Sequence, residues 1–317
     1  MPALSYSMAI FAVSQIFIIG FVGYFLVKRK IIKPDDLNLL SRLAIGIFYP
    51  ALVFDQITRH FSFSQKADWW LYPLLFYGMG LAALVISRAI FLFYKSFKFK
   101  KEFTALMIFQ NCGYIPLLLV STILEGTFLQ EMLINIFLFC LGFDLIVWSL
   151  GAWLLKKHTM EKQKFIAFLN PPLVAVVVSL AVVFIGLNRY IPEAFSKSIG
   201  MLSLCALPFG MMVVGGNLAT IDLTDTKKRD MALIVFAKLI LLPLLTLGVV
   251  LSLRLNFHLG FLIVLQSTAP SAMTLSIVTR HYKGEERFIN QGIFYTHLFS
   301  MLTIPAFLSL YLHFMGL

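Results

Sequence analysis

Long apolar stretches alternate with short polar segments along the whole chain. A helix needs about 20 consecutive apolar residues to cross the hydrocarbon core of a bilayer. The pattern predicts ten membrane-spanning helices, at residues 5–27, 35–59, 69–94, 102–124, 130–155, 168–187, 195–219, 231–253, 257–279 and 287–312. The polar segments between them are too short for a separate soluble domain. We therefore expect an all-α polytopic membrane protein whose function resides in the helix bundle.

The composition agrees with this pattern. Hydrophobic residues make up 60% of the 317 residues, charged residues only 13%, and the mean hydropathy is +0.88, which excludes a soluble globular domain. The first apolar stretch is longer than that of a signal peptide and has no basic segment before it, so we expect it to be retained as a span. The three cysteines, Cys112, Cys140 and Cys205, lie in predicted helices and indicate no disulfide framework.

The net charge of +11 is distributed unevenly. Eighteen lysines and arginines lie in the loops that follow odd-numbered helices, and five lie in the even-numbered loops: Arg59, Lys66, Arg189, Lys197 and Arg254. Positive residues collect on the cytoplasmic side of membrane proteins. We therefore expect cytoplasmic odd loops and both termini outside, in a protein of the plasma (inner) membrane. The alternation explains the basic charge without a nucleic-acid partner.

The two halves of the chain resemble each other. At shifts of 158 and 156 residues the sequence aligns with itself at the pairs Pro34/Pro192, Asp35/Glu193, Pro50/Pro208 and Gln110/Gln266. Because five helices per half is an odd number, the halves 1–157 and 158–317 would have opposite orientations, which is the inverted-repeat arrangement of secondary transporters. Chance matches are the alternative explanation, since prolines are frequent in membrane helices.

The fourth predicted helix contains the motif IFQNCGYIP, in which polar residues and a proline interrupt an apolar stretch. Asn111 lies about 15 Å into this helix at 1.5 Å per residue, near the middle of a core about 30 Å thick. Pro116 removes the helical partner of the Cys112 carbonyl, and Pro270 in the ninth helix removes that of Gln266. Two broken helices would bring free carbonyls, helix N-termini and amides together, an arrangement that attracts anions.

The predicted substrate-binding residues come from both interrupted helices: Gln110, Asn111, Gly113, Gln266, Ser267, Thr268 and Ser271. Pro116 and Pro270 are the predicted helix breaks. Amides and hydroxyls also join membrane helices to one another by hydrogen bonds, and this structural role is the alternative for each residue. The central parts of both helices contain no carboxylate, which favours an anion and makes sodium the less favoured coupling ion.

Five segments carry a resemblance to a known family: GYFLVKRKIIKPDDLNLLSRLAIGIFYPALVF, FQNCGYIP, NPPLVA, ALPFGMMVVGGNLA and QSTAPSAMTLSIVTRHYKGEERF. They resemble the auxin efflux carrier family of permeases, which includes the plant PIN-FORMED exporters and bacterial malate and malonate carriers. The resemblance extends over nearly the whole chain.

The resemblance implies ten helices in two inverted repeats, with a scaffold of helices 1, 2, 6 and 7 and a transport domain of helices 3–5 and 8–10. It implies that proline-broken helices cross at the binding site, as in bile-acid sodium symporters, with Asn111, Pro116 and Pro270 at the crossing. It also implies a homodimer formed through scaffold helices. The short central loop around KHTMEKQKF differs from the long regulatory loop of many plant exporters, so auxin is not implied as the substrate.

Three titratable side chains lie deep in predicted helices: Asp144, Lys238 and His297. An ionisable group inside a membrane is costly enough to indicate a function. We expect these three groups to be the candidates that couple transport to a proton or another charge, and Asp144 and His297 each lie in the last helix of a predicted repeat. A buried ion pair between Asp144 and Lys238, or a lysine that extends towards the interface, is the alternative.

These features favour a secondary transporter that moves a small organic anion, a carboxylate, across the membrane by alternating access. A sodium-coupled organic anion symporter and a non-transporting membrane receptor are the alternatives, and the short loops argue against the receptor. We do not expect an enzyme, because the chain contains no HExxH, GxSxG or Gly-Lys motif. We expect no cofactor and no metal ion.

The charge distribution predicts which loops face the cytoplasm. In a background without the native cysteines, a membrane-impermeant maleimide should label Lys197→Cys, in an even-numbered loop, on intact cells. Lys162→Cys, in an odd-numbered loop, should be labelled only after permeabilisation. Strong labelling of Lys162→Cys on intact cells would contradict the predicted orientation.

Overall fold

The computed structural model describes residues 6–155 and 170–316. Within these ranges the chain forms helices and no β-strand, which confirms the all-α prediction. The α-helices are α1 Tyr6–Lys28, α2 Pro34–Leu43, α3 Tyr49–His60, α4 Leu71–Phe93, α5 Lys100–Ile108, α6 Tyr114–Ile123, α7 Gly126–Ile146, α8 Ala152–Leu155, α9 Pro171–Phe184, α10 Glu193–Ala219, α11 Lys228–Phe236, α12 Leu242–Ser252, α13 Phe257–Thr268, α14 Thr274–His281 and α15 Glu286–Phe314.

Seven helices in the described ranges are long and apolar enough to cross a membrane: Met8–Lys28, Pro34–His60, Leu71–Phe93, Gly126–Ile146, Glu193–Ala219, Lys228–Ser252 and Glu286–Phe314. Each overlaps a different one of the ten predicted spans. Three shorter apolar helices, α6, α9 and α13, lie in the fourth, sixth and ninth predicted spans. The prediction of a polytopic helical membrane protein is therefore confirmed.

The fourth and ninth predicted spans are each interrupted by a non-helical segment. Residues 109–113 separate α5 from α6, and residues 269–273 separate α13 from α14. Pro270 lies inside the second interruption. Pro116 lies instead in the first turn of α6, where a missing N–H leaves no hydrogen bond unmade. The first interruption therefore precedes Pro116, and other contacts must hold it open.

A π-helical turn precedes a proline in two other helices. Residues Ala44–Phe48 join α2 to α3 shortly before Pro50, and residues Ala237–Leu241 join α11 to α12 shortly before Pro243. Proline provides no N–H for the preceding turn, and a wider turn accommodates this loss. Such turns are frequent at functional sites, and the second one contains Lys238.

Helices α1, α3, α9 and α10 pack together, and close packing of α1 on α10 depends on glycines. A Cβ atom on Gly23 would collide with the backbone of Met212, and one on Gly215 would collide with the Gly20 carbonyl. Small residues let membrane helices approach this closely. The remaining helices, α4–α8 and α11–α15, pack around the two interrupted spans.

Part of the predicted cytoplasmic charge lies outside the described residues. It comprises Lys156, Lys157, Lys162 and Lys164, in and beside the loop KHTMEKQKF. The predicted boundary between the two halves, after residue 157, also lies there.

Gly23→Ala should destabilise the protein, because the added methyl group collides with Met212 and forces α1 away from α10. Overpacking of this kind costs about 1–3 kcal/mol. Gly78→Ala in α4 is the matched control, since no atom lies within 4 Å of the added Cβ and alanine favours a helix over glycine. Thermal unfolding in detergent should give a lower midpoint for Gly23→Ala only. An unchanged midpoint for that variant would contradict the close contact.

Candidate functional site

The two interruptions lie side by side and run antiparallel. The Asn111 N–H donates to the Pro270 carbonyl at 2.7 Å, and the Ala272 N–H donates to the Phe109 carbonyl at 2.9 Å. Together these bonds form an isolated antiparallel bridge. A break in a membrane helix leaves backbone groups that water cannot reach. Here each interruption satisfies backbone groups of the other, and we call this pair of segments the bridge.

Side chains cap the C-terminal carbonyls of α5. Lys238 Nζ donates to the Met107 carbonyl at 2.7 Å, and Ser271 Oγ donates to the Leu106 carbonyl at 2.9 Å. Lys238 is completely buried. Its ammonium group lies at the negative end of the α5 dipole, where a cation is stabilised. Lys238 therefore supports the end of the interrupted helix.

A buried amide links the two interrupted helices directly. Gln266 Nε2 donates at 3.0 Å to the backbone carbonyl of Cys112, which lies in the interruption before α6. The backbone carbonyl of Gln266, to which Pro270 cannot donate because it lacks an N–H, accepts from the Ala269 N–H at 3.4 Å. Both carbonyls are thus bound by other groups of the protein.

A cavity of about 580 Å³ lies beside the bridge. One wall comes from the α2–α3 helix and α10, and the other comes from residues 110–114, α7, α14 and α15. Of the predicted binding residues, Gln110, Asn111 and Gly113 line it. Thr274, which shares a helical face with Ser267 and Ser271 in the sequence, also lines it. Further lining residues that the sequence did not single out include Tyr49, Tyr114, Asn217, Ser276 and Arg280.

Two helix N-termini border this cavity. α6 begins at Tyr114 after Gly113, and α14 begins at Thr274 after Met273, and all four residues line the cavity. Neither helix has a side-chain cap or an acidic residue in its first turn. The first N–H groups of a helix lack helical partners and carry partial positive charge. The cavity is therefore bordered by two positive helix ends without side-chain caps. At α14, the Leu275 and Ser276 N–H groups donate to the Ala272 and Met273 carbonyls at 3.2 and 3.0 Å.

His297 on α15 holds the Asn111 side chain. Asn111 Nδ2 lies 3.3 Å from His297 Nε2, and His297 Nδ1 lies 2.9 Å from the Ile293 carbonyl. A carbonyl oxygen only accepts, so we assign the ring hydrogen to Nδ1, and the neutral ring accepts at Nε2 from the Asn111 amide. His297 is buried and does not line the cavity. It acts on the cavity through Asn111.

Asp144 lines the cavity but does not pair with Lys238. Its Oδ1 accepts from Asn170 Nδ2 at 3.2 Å, and Asn170 Oδ1 caps α9 by accepting from the Leu173 N–H at 2.8 Å. Lys238 reaches the Met107 carbonyl at the end of α5 instead. The alternative of an Asp144–Lys238 ion pair is therefore wrong, because each side chain has a different partner.

Four predicted binding residues have no exposed surface: Gln266, Ser267, Thr268 and Ser271. The Ser267 and Thr268 hydroxyls donate within their own helix, to the Val264 and Leu265 carbonyls, both at 2.8 Å. Hydroxyls that bond back to their own helix are satisfied without a ligand. Gln266 and Ser271 instead bind carbonyls of the fourth predicted span, and none of the four residues lines the cavity.

Aromatic rings pack where α6 meets the cavity. Tyr114 lies edge-on against Tyr49, with ring centroids 5.4 Å apart, and its ring fills the space that a Cβ on Gly210 of α10 would occupy. The Tyr114 hydroxyl has no hydrogen-bond partner among the described residues. In the motif ALPFGMMVVGGNLA, Gly210 is the only sequence feature that indicates a close approach at this point of α10. It does not indicate which side chain fills the space.

Charged side chains at the exposed end of the cavity form pairs. Arg280 lies 2.6 Å from Glu286, and Arg287 lies 3.4 Å from Asp222. The Thr224 N–H and hydroxyl donate to Asp222 and hold the pKa of that carboxyl below its usual value. The charged form of Asp222, which pairs with Arg287, is therefore favoured. The two arginines are already paired with carboxylates, whereas neither helix N-terminus has a side-chain cap.

A bundle of apolar helices around a cavity that is bordered by two interrupted helices is typical of a membrane transporter. The chain belongs to the membrane transport protein family, whose sequence model matches residues 8–165 and residues 156–308. This match confirms the resemblance to the auxin efflux carriers.

Two similar proteins cover the chain almost completely. An uncharacterized transporter of Methanocaldococcus jannaschii is 26% identical over 303 residues, 91% of this chain and 94% of its own. Another, of Methanothermobacter thermautotrophicus, is 24% identical over 301 residues, 92% of this chain and 95% of its own. An uncharacterized transporter of Schizosaccharomyces pombe is 30% identical over 113 residues, 34% of this chain and 24% of its own.

Gln266→Leu should destabilise the protein, because it leaves the buried Cys112 carbonyl without a partner. An unsatisfied buried group costs about 1–3 kcal/mol. Thr268→Val is the matched control, since that hydroxyl bonds only within its own helix. The midpoint of thermal unfolding should fall clearly further for Gln266→Leu than for Thr268→Val. Equal midpoints, with ligand affinity lost only in Gln266→Leu, would show instead that Gln266 contacts the ligand.

Proposed function

We propose that the protein is a secondary transporter that carries a small organic anion, a carboxylate, across the membrane by alternating access. The observation that carries this proposal is the pair of uncapped helix N-termini, those of α6 and α14, on one cavity. Partial positive charges and N–H donors bind a carboxylate without a full cationic side chain. The carboxylate would lie between Gly113 and Thr274, with the Asn111 amide beside it.

The proposed architecture has ten spans in two inverted halves, residues 1–157 and 158–317. α1, the α2–α3 helix, α9 and α10 would form the scaffold, and α4–α8 with α11–α15 would form the transport domain. Packing of α1 on α10, and of α3 on α9 and α10, supports this division. A family match in two stretches that meet near residue 157 supports the two halves. The interrupted helices would cross at the bridge.

The position of the cavity suits alternating access. Its lining combines proposed scaffold residues, such as Tyr49 and Asn217, with proposed transport-domain residues, such as Asn111 and Arg280. Sliding of one domain along the other would close the end at Arg280 and open the end that Tyr114 and Tyr49 fill. With cytoplasmic odd loops, the cavity opens towards the cytoplasm in this structure.

The proposed setting is the plasma (inner) membrane, with both termini outside. Large apolar side chains of α1, among them Phe11, Ile18 and Phe21, are exposed. Such a surface suits contact with lipid. The same scaffold helix would lie near the subunit contact of a homodimer, as the family resemblance implies.

His297 provides a route by which a proton would couple to transport. Its neutral ring accepts from the Asn111 amide NH2, so that the Asn111 oxygen points away from the ring. A second ring proton would make Nε2 a donor, and Asn111 would then turn its oxygen to the ring and its NH2 group to the cavity. Protonation would thus add a donor for the anion, and we expect the anion and the proton to bind together.

A sodium-coupled organic anion symporter is the second candidate. One observation favours it, since the Asp144 carboxylate lines the same cavity and accepts from the neutral amide of Asn170. A carboxylate with nearby backbone carbonyls is a ligand set that accepts a hard cation. In this variant of the function, sodium at Asp144 would offset the repulsion between that carboxylate and the substrate.

Measurement of carboxylate binding tests the proposal. Carboxylates should raise the melting temperature of the protein in detergent, and the best of them should bind Asn111→Ala about tenfold to a hundredfold more weakly, because a hydrogen bond to a charged partner contributes roughly 1.5–3 kcal/mol. Asn135→Ala is the matched control, since Asn135 is buried in α7 and does not line the cavity. That variant should keep its affinity.

Unchanged affinity in Asn111→Ala would exclude this site for the anion. The same titrations in sodium and in potassium, each at two pH values, separate the two candidates. Tighter binding at the lower pH in both salts would support coupling through His297. Tighter binding in sodium at both pH values would support the symporter.

A further inference from the structure

Two cysteine side chains are in contact in the wall of the cavity. The Sγ atoms of Cys112 and Cys140 lie 3.2 Å apart, and both residues line the cavity. Cys112 belongs to the interruption between α5 and α6, whereas Cys140 belongs to α7. The third cysteine, Cys205, is exposed on α10. A reagent in the cavity can therefore meet two thiols together, and Cys205 stands apart from them.

We propose that Cys112 and Cys140 are a modification site, a dithiol that small disulfide compounds in the cavity convert to a disulfide, and that this bond closes the anion site. The closure of the site rests on the proposed function. The formation of the disulfide does not, because it depends only on the two thiols and on access through the cavity.

The geometry requires only a small movement. A disulfide has an S–S length of about 2.05 Å, so the two sulfurs would approach each other by about 1 Å. Cys112 lies on non-helical backbone, where the side chain and the segment can adjust, while α7 holds Cys140. In a reducing cytoplasm such a pair stays as thiols. Both cysteines are buried. With the proposed orientation, the cavity that they line opens to that compartment.

The reaction is a thiol–disulfide exchange in two steps. The thiolate of one cysteine attacks a sulfur of the small disulfide, forms a mixed disulfide and releases one small thiolate. The thiolate of the other cysteine then attacks the protein sulfur of the mixed disulfide, forms the bond between Cys112 and Cys140, and releases the second small thiolate. Two electrons pass to the small disulfide, and the two protons lost by the cysteines end on the released thiols.

The bond would act on the anion site through the neighbours of Cys112. Asn111 and Gly113 flank Cys112 and line the cavity. The Cys112 N–H donates to the Gln110 carbonyl at 2.8 Å, and its carbonyl accepts from Gln266, so this residue cannot move without its segment. Movement of Cys112 towards α7 would displace the Asn111 amide and the start of α6. We expect the affinity for the anion to fall about tenfold or more, as for a lost hydrogen bond to a charged group.

Treatment of the full-length Cys205→Ser protein with dipyridyl disulfide tests the dithiol. Two pyridinethione molecules should be released per chain, and the intact mass should fall by two hydrogens with no pyridyl group attached. Cys140→Ser in the same background is the matched control, which should release one pyridinethione and keep one pyridylthio group. Two attached pyridylthio groups on the parent, or no release, would overturn the proposal.

Anion affinity of the same samples tests the closure. The oxidised parent should bind the best carboxylate about tenfold more weakly, and a phosphine reductant should restore the affinity. The variant that combines Cys112→Ser with Cys140→Ser should not respond to the treatment. Full affinity in the oxidised parent would overturn the closure. Absence of binding in the reduced parent would instead count against the proposed function and the closure together, while the thiol count would still decide on the disulfide.

Discussion

Backbone groups that leave a helix inside a membrane cannot bind water, and this constraint shapes the centre of the protein. The Asn111 N–H and the Phe109 carbonyl find partners at Pro270 and Ala272, on the other interruption. Neither interruption could satisfy these groups by itself. The two halves of the chain must therefore come together before either break is stable, and the cavity exists only once they have done so.

The helix C-termini around the bridge have side-chain hydrogen-bond partners, whereas the N-termini have none. At the C-terminus of α5, Lys238 and Ser271 bind the last carbonyls. At the C-terminus of α13, the hydroxyls of Ser267 and Thr268 bind carbonyls of their own helix. The N-termini of α6 and α14 receive no side-chain cap. The protein supplies donors to these carbonyls but places no side-chain acceptor at the two N-termini, and at α14 the Leu275 and Ser276 N–H groups donate to the Ala272 and Met273 carbonyls. This asymmetry is the electrostatic basis of the proposed anion site.

Sequence reasoning located the membrane helices and both interruptions, because apolar length and a cluster of polar residues beside proline are local signals. It did not distinguish Asn111, which lines the cavity, from Ser267 and Thr268, which do not. All three are small polar residues at similar predicted depth. Which of them faces the cavity depends on how the helices rotate against one another, and no local pattern reports that rotation.

The hydrogen-bond partners of residues that are distant in the sequence could not be predicted either. Lys238 and Asp144 look complementary along the chain, yet Lys238 reaches the end of α5 and Asp144 binds Asn170. A buried lysine is stabilised by any concentrated negative potential, and the carbonyl end of an interrupted helix provides one. In the sequence, Pro116 indicates that the helix is interrupted, but nothing indicates that Lys238 binds the carbonyl at the end of α5.

The connection between the proposed domains follows from contacts at the exposed end of the cavity. Arg287 Nη2 donates to the Thr224 carbonyl at 2.5 Å, and Gln291 Nε2 donates to the Asp222 carbonyl at 3.2 Å. The loop after α10 is thereby attached to the start of α15, although α10 belongs to the proposed scaffold. If α15 moves with the transport domain, this loop moves with it. The chain would then bend between the end of α10 and Asp222, and the ion pairs of the loop would move with the proposed transport domain.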